Sequence, residues 1–229
     1  MHIFVDTNII IGYSLELDLW NFSSERLLNK YESFYWSNTV KDEVLCKIDN
    51  LLTSYNKFFV NIEDSLIEGF ITKDKFFSIV NDISFLNNEN DLDKRKLASY
   101  IWDDGGWFED ANSKEIIQVL NTILDKLNED AFPRFNICEE KGFLYLRDND
   151  TNYFALLNTL HSFRVDDGTN RIHPPDDEIV IDAHDLAKTK NLSLIFVTTD
   201  KKLLEFSEKI LSVTNLENML FVDNAFFLN

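Results

Sequence analysis

The chain has 229 residues, 45% apolar, 14% aromatic and 27% charged, with only 6 Gly and 3 Pro. That balance excludes a disordered, collagen-like or linker-dominated chain and implies one large domain, or a standard domain carrying a sizeable insertion. Lys and Arg number 22 against 40 Asp and Glu, a formal charge of −18, which argues against a protein that coats nucleic acid through bulk charge but leaves a local grip on it open.

The first segment, His2 to Val5, is a short apolar run ending at Asp6, as expected of a strand buried on both faces of a parallel sheet. A helix is predicted from Asn8 to about Glu16, a second from Ser23 to about Tyr31, and a second short strand over Phe34 to Trp36. Ser37 or Asn38 is placed to cap a helix from Thr39 to about Leu52. The segment from about 51 to 175 reads as a mainly helical insertion. There Ile116, Val119, Leu120, Ile123, Leu124 and Leu127 fall on one helical face, Asn87 to Asp93 is a polar loop, and Gly105-Gly106 marks a turn. Phe143 to Leu146 reads as a strand or hairpin arm.

The α/β grammar then returns. A helix is predicted over Asp177 to Lys190, a strand over Leu194 to Val197, a helix from Lys201 to about Leu211 and a last strand over Met219 to Val222. Strand–helix alternation of this kind predicts an α/β fold with a central parallel sheet and helices on both sides. Two distant cysteines, Cys46 and Cys138, form no CxxC pair, and no basic leader or span of about 18 apolar residues is seen. The expected setting is the reducing cytoplasm, without a membrane.

Acidic residues fall where strands of such a sheet end, the place where open α/β sheets bind ligands. Asp6 closes the first strand and Asp200 follows the late one, while Glu43 and Asp182 lie on neighbouring helices. Four converging carboxylates repel one another unless a cation joins them. With oxygen donors from four elements and no His or Cys cluster, one or two Mg²⁺ or Mn²⁺ ions are expected rather than zinc. A metal pair about 3.5–4 Å apart suits in-line displacement at a phosphodiester.

The run Phe4-Val5-Asp6-Thr7-Asn8-Ile9-Ile10 resembles the opening of a PIN-domain nuclease. Ser37-Asn38-Thr39-Val40-Lys41-Asp42-Glu43-Val44 resembles the second motif of that family, Asp182-Ala-His-Asp-Leu-Ala187 its third, and Phe196-Val-Thr-Thr-Asp200 its fourth. The resemblance covers about residues 1–50 and 176–229. It implies a single PIN-like, Rossmannoid three-layer domain with residues 51–175 inserted. It also implies a metal-dependent endoribonuclease, in a toxin–antitoxin or defence setting or in RNA processing and decay. The long segment between the second and third motifs departs from compact family members, so substrate, an antitoxin or other protein partner, and a homodimer stay open.

Each acid has a plainer reading beside its metal role. Asp6 and Asp200 could cap the helices that follow them. Asp42 competes with Glu43 and is read as a solvated helix-start acid. Asp185, one turn from Asp182, is a further metal candidate, through water. Asn8 and Thr199 are candidate contacts for a phosphate or its water, and Lys188, Lys201 and Lys202, with Lys190, form the best candidate basic group for an RNA backbone. His184 reads as a packed or surface histidine, and Arg171 and His173 as loop residues within reach of a phosphate. Tyr100, Trp102, Trp107 and Phe108 could stack bases, with core packing the plainer role.

Three other readings are weighed. One is a non-catalytic PIN-like scaffold. Another is a structure-specific DNA nuclease of the flap-nuclease class, which the low Lys and Arg content of the insertion disfavours. The third is a haloacid-dehalogenase-like phosphatase, which needs a second Asp where Asn8 stands.

Overall fold

The computed structural model describes residues 2–85, 94–148, 152–164 and 172–227. The predicted polar loop at Asn87 to Asp93 and Arg171 lie outside the described residues. Two compact units are present, one formed by residues 1–13, 20–46 and 134–229 and the other by 14–19 and 47–133.

The first unit is built on five parallel strands, β1 (His2–Val5), β2 (Phe34–Ser37), β5 (Gly142–Tyr145), β6 (Leu194–Thr198) and β7 (Asn218–Phe221), in the order β5-β2-β1-β6-β7. The central pair, β1 and β6, is apolar apart from His2 at the start of one and Thr198 at the end of the other, and every residue from Ile3 to Val5 and from Leu194 to Thr198 is buried. That is how a strand covered on both faces reads. The remaining elements of this unit include α1 (Thr7–Ser14), α2 (Asn21–Lys30), the start of α3 (Asn38–Ser65), the end of α6 (Ser113–Lys141), α7 (Phe154–Ser162), α8 (Asp176–Lys190), α9 (Lys201–Glu205), α10 (Ser207–Val213) and a closing 3-10 helix (Val222–Phe227). With right-handed crossovers, helices leading into β2 and β5 fall on one face and those leading into β6 and β7 on the other. The result is a three-layer α/β arrangement. The strand order reverses between β1 and β6, so a crevice opens at their carboxyl ends.

The second unit is mainly helical, as the sequence predicts. It holds the rest of α3 and α6, α4 (Lys73–Asp82), α5 (Lys94–Asp104) and a two-stranded antiparallel pair, β3 (Phe70–Thr72) with β4 (Asp110–Asn112). Ile116, Leu120, Ile123 and Leu127 of α6 are buried at the expected spacing. Trp102 is fully buried, with its ring 5.6 Å from that of Phe76, which is the core-packing role. Gly106 turns the chain at φ 67°, a left-handed conformation that glycine adopts without strain.

Three elements differ from the sequence reading. α3 runs to Ser65 rather than about Leu52, because its apolar spacing continues through Tyr55, Phe58, Phe59 and Ile62, all buried. The helix predicted over Lys201 to Leu211 is divided at Phe206 into α9 and α10. Residues 134–148, 152–164 and 172–175, read as part of the insertion, group with the sheet-bearing unit, to which Gly142–Tyr145 adds an edge strand beside β2. Gly142 permits that pairing: a Cβ there would stand 2.7 Å from Trp36 Nε1 and 2.8 Å from the Cys138 carbonyl oxygen.

Candidate carboxylate site

Asp6 follows β1 directly, and its backbone N–H donates to the Val197 carbonyl at 3.0 Å, continuing the β1–β6 ladder by one step. The side chain is 3% exposed. A carboxylate so buried needs its oxygens satisfied. Oδ1 accepts from the Thr7 N–H at 2.7 Å and Oδ2 from the Thr198 hydroxyl at 2.6 Å. The Thr198 oxygen in turn accepts from the Asp200 N–H at 2.9 Å. The Thr7 hydroxyl donates to Glu43 Oε2 at 2.5 Å. Two threonines therefore tie Asp6 and its neighbour to the ends of β6 and the start of α3. Asp42, one residue from Glu43, is exposed and accepts from Asn38 Nδ2 at 2.9 Å, as a solvated helix-start acid would.

Asp182 lies on α8, whose residues from Ile179 to Ala187 are all buried. Its Oδ2 accepts from the Thr39 hydroxyl at 2.7 Å, and Thr39 is one turn of α3 before Glu43. Burial pushes the Asp182 pKa above the ordinary carboxylate value, against the opposing pull of the Thr39 and Ser37 hydroxyls and the Arg147 charge. Arg147 Nη1 stands 3.2 Å from Asp182 Oδ1, and Nη2 is bonded to Glu178 Oε2 at 2.6 Å. Asn38, Thr39, Tyr145, Leu146, Arg147 and Asp182 line a cavity of about 430 Å³.

Asp185 is held differently. It accepts from the Tyr145 hydroxyl at 2.6 Å, from the Tyr153 hydroxyl, and from Thr189 at 3.1 Å. Burial opposes its charge, but these three hydroxyls and Arg147 outweigh burial and hold its pKa below the usual range. Burial, and then the bond to Asp185, push the Tyr145 phenol up to about 12. Asp200 is the N-cap of α9: Oδ1 accepts from the N–H groups of Lys202 and Leu203 at 2.7 and 3.1 Å. Its capping role is thus realised at the mouth of the crevice.

Among the other candidates, Asn8 lies in the first turn of α1, half-buried, and Thr199 is buried beside Thr198. The basic group does not form one patch. α8 returns directly into β6, so its last turn, with Lys188 and Lys190, lies toward the amino end of that strand, whereas Lys201 and Lys202 follow its carboxyl end. Lys188 stacks over the Tyr153 ring at 5.8 Å and Lys201 over the Phe221 ring at 5.5 Å. His184 accepts from the Asn215 N–H at 2.8 Å and packs edge-on against Tyr153, a packing role.

The donors gathered here are carboxylate and hydroxyl oxygens, the set a hard divalent cation takes. Among the described residues, no group of three or more His, Cys, Asp or Glu side chains is arranged to hold an ion. A hydrated Mg²⁺ suits such a donor set, since it keeps several waters and takes only some of the nearby acids directly. Sequence reasoning missed Arg147 and the roles of Thr39 and Tyr145. The one available signal was an arginine directly after the strand-like run Phe143 to Leu146. Among the described residues no helix is long and apolar enough to cross a membrane. Compared with known proteins, the chain matches no family model, no curated protein and no solved structure.

Proposed function

We propose that the chain is a metal-dependent endoribonuclease that hydrolyses RNA phosphodiester bonds, in keeping with the resemblance of its four acidic motifs to those of PIN-domain nucleases. The observation that carries this reading is the hydroxyl-linked row of acids at the carboxyl ends of β1, β2 and β6. Thr198 joins Asp6 to the Asp200 backbone, Thr7 joins the β1 end to Glu43, and Thr39 joins the α3 start to Asp182.

Asp6, Glu43 and Asp182 would hold the cation, Mg²⁺ or Mn²⁺, with Asp200 at the rim. When bound, the ion supplies the positive charge that activates water for attack and stabilises the leaving oxygen. The chain's own residues do the rest. Thr7, Thr39 and Thr198 fix the carboxylates by donating to their oxygens, and the buried setting of Asp6 and Asp182 strengthens every charge interaction there. Asp185 acts as a positioning residue, holding Tyr145 and Tyr153 against α8. Asn8, Thr199, Lys201 and Lys202 stand on the segments that follow β1 and β6 and would meet the RNA backbone.

The test is cleavage of labelled RNAs and of single-stranded and duplex DNAs by the wild type and Asp6→Asn, with Mg²⁺, Mn²⁺ or EDTA. RNA cleavage that needs both metal and Asp6 is the expected result. Cleavage of DNA alone would move the chain to the flap-nuclease class. A second reading, the non-catalytic scaffold, draws on the Arg147–Asp182 pair, since that charge already has a counter-ion. It predicts no cleavage and no stabilisation by metal.

A further inference from the structure

Arg147 is held unevenly. Its Nη2 makes a short bond to the half-exposed Glu178, while Nη1 lies at ion-pair distance from Asp182, a side chain only 4% exposed. That Nη1 atom is buried and has no hydrogen-bond partner of acceptable geometry. The guanidinium fork therefore supplies charge to Asp182 without the paired bonds that Arg–carboxylate contacts favour. Arg147 also stands on residues 146–148, which belong to neither helix nor strand, and it lines the cavity together with Asn38 and Thr39. A side chain in this state neutralises a buried carboxylate loosely, on a backbone that is not tied into the sheet.

We infer that Arg147 is the resident counter-ion of Asp182 and competes with the divalent cation for that carboxylate. It yields the carboxylate when the ion enters, and its guanidinium then turns to the cavity, where a substrate phosphate would meet it. Glu178 keeps the displaced side chain close by holding Nη2. The inference rests on the ribonuclease reading for the identity of the cation, and its test separates the two.

The experiment is Mn²⁺ titration by calorimetry of the wild type, Arg147→Gln, Asp6→Asn and Arg134→Gln. Arg134, paired with Glu25 at 3.8 Å, controls for the loss of one positive charge elsewhere. Removing the competitor is expected to tighten Mn²⁺ binding about twofold to fivefold in Arg147→Gln, the range of a partly screened ion pair, with Arg134→Gln unchanged. In the wild type, the Arg147 guanidinium ¹⁵N–H signals are expected to shift on adding Mg²⁺, a readout that needs no variant to fold. Equal Mn²⁺ affinity in wild type and Arg147→Gln, or equal tightening in Arg134→Gln, overturns the competition, as do Arg147 signals that ignore Mg²⁺. In those cases, binding that Asp6→Asn abolishes leaves the ribonuclease reading intact. Absence of binding in every variant overturns both.

Discussion

The Thr7 hydroxyl donates to Glu43 Oε2 at 2.5 Å across 36 positions of sequence. Thr7 also gives its backbone N–H to Asp6. One residue at the end of β1 thus orients two acids from two elements, one through its main chain and the other through its side chain.

Thr7→Val keeps the shape and the N–H and removes the hydroxyl. It should lower stability by about 1 kcal/mol and cleavage by roughly ten- to a hundredfold, because a displaced acid is costly out of proportion to its motion. Thr7→Ser should recover most of both. Urea unfolding and RNA cleavage rates measure the two effects, and a fully active Thr7→Val would remove Glu43 from the site.

Asp200 carries two roles that substitution can separate. Asp200→Ala should cost about 1 kcal/mol through loss of the α9 cap. Asp200→Ser, which caps but brings no carboxylate, should keep stability. If Asp200→Ser keeps stability and loses cleavage, the carboxylate serves the chemistry. If cleavage survives, Asp200 is a cap alone.

Asp185 is ionised against burial by the hydroxyls of Tyr145, Tyr153 and Thr189, so its folded pKa lies below its unfolded value. Its contribution to stability is therefore complete above the unfolded pKa, near 4, and disappears as the pH falls through the lower, folded value. Asp185→Asn should lose about 1–3 kcal/mol at neutral pH and show a shallower loss of stability on acidification than the wild type. Melting temperatures between pH 7 and pH 3 give the comparison.

The two thiols should behave oppositely. Cys46 is exposed and Cys138 buried, and burial pushes the Cys138 pKa up to about 12. In the native protein at pH 8, a thiol reagent should modify one cysteine quickly and the second only with denaturant. Because the folded pKa exceeds the unfolded one, the stabilisation is present below about pH 8.5 and is lost as the pH rises toward 12. Cys138→Ala should flatten that alkaline loss, and fast modification of both thiols would place Cys138 at the surface.

Much of the sheet was legible because its central strands are unbroken apolar runs. Phe4-Val5-Asp6 and Phe196-Val-Thr-Thr-Asp200 announce both the strand and the acid after it. Ser37 was legible as a cap for a like reason, its hydroxyl accepting the Val40 N–H at 3.3 Å. β5 was less so, because an edge strand with Phe143 and Leu144 exposed lacks the pattern of a buried one. The length of α3 was missed where aromatic residues replace aliphatic ones along the same stripe.

By itself, the sequence determined which acids follow which strands, since a strand's apolarity and the cap after it are local properties set by neighbouring residues. Tertiary structure alone decided the partners of those acids. Asp182 meets Thr39 because α8 packs against β2, Arg147 and Tyr145 reach α8 because β5 pairs with β2, and Tyr153 reaches Asp185 where α7 packs on α8, so residues about 30 to 140 positions away converge there. It likewise parted Lys188 from Lys201, which stand 13 positions apart in sequence. A helix that returns antiparallel to its strand puts its last turn at the opposite edge of the sheet from the loop after that strand, whatever their separation along the chain.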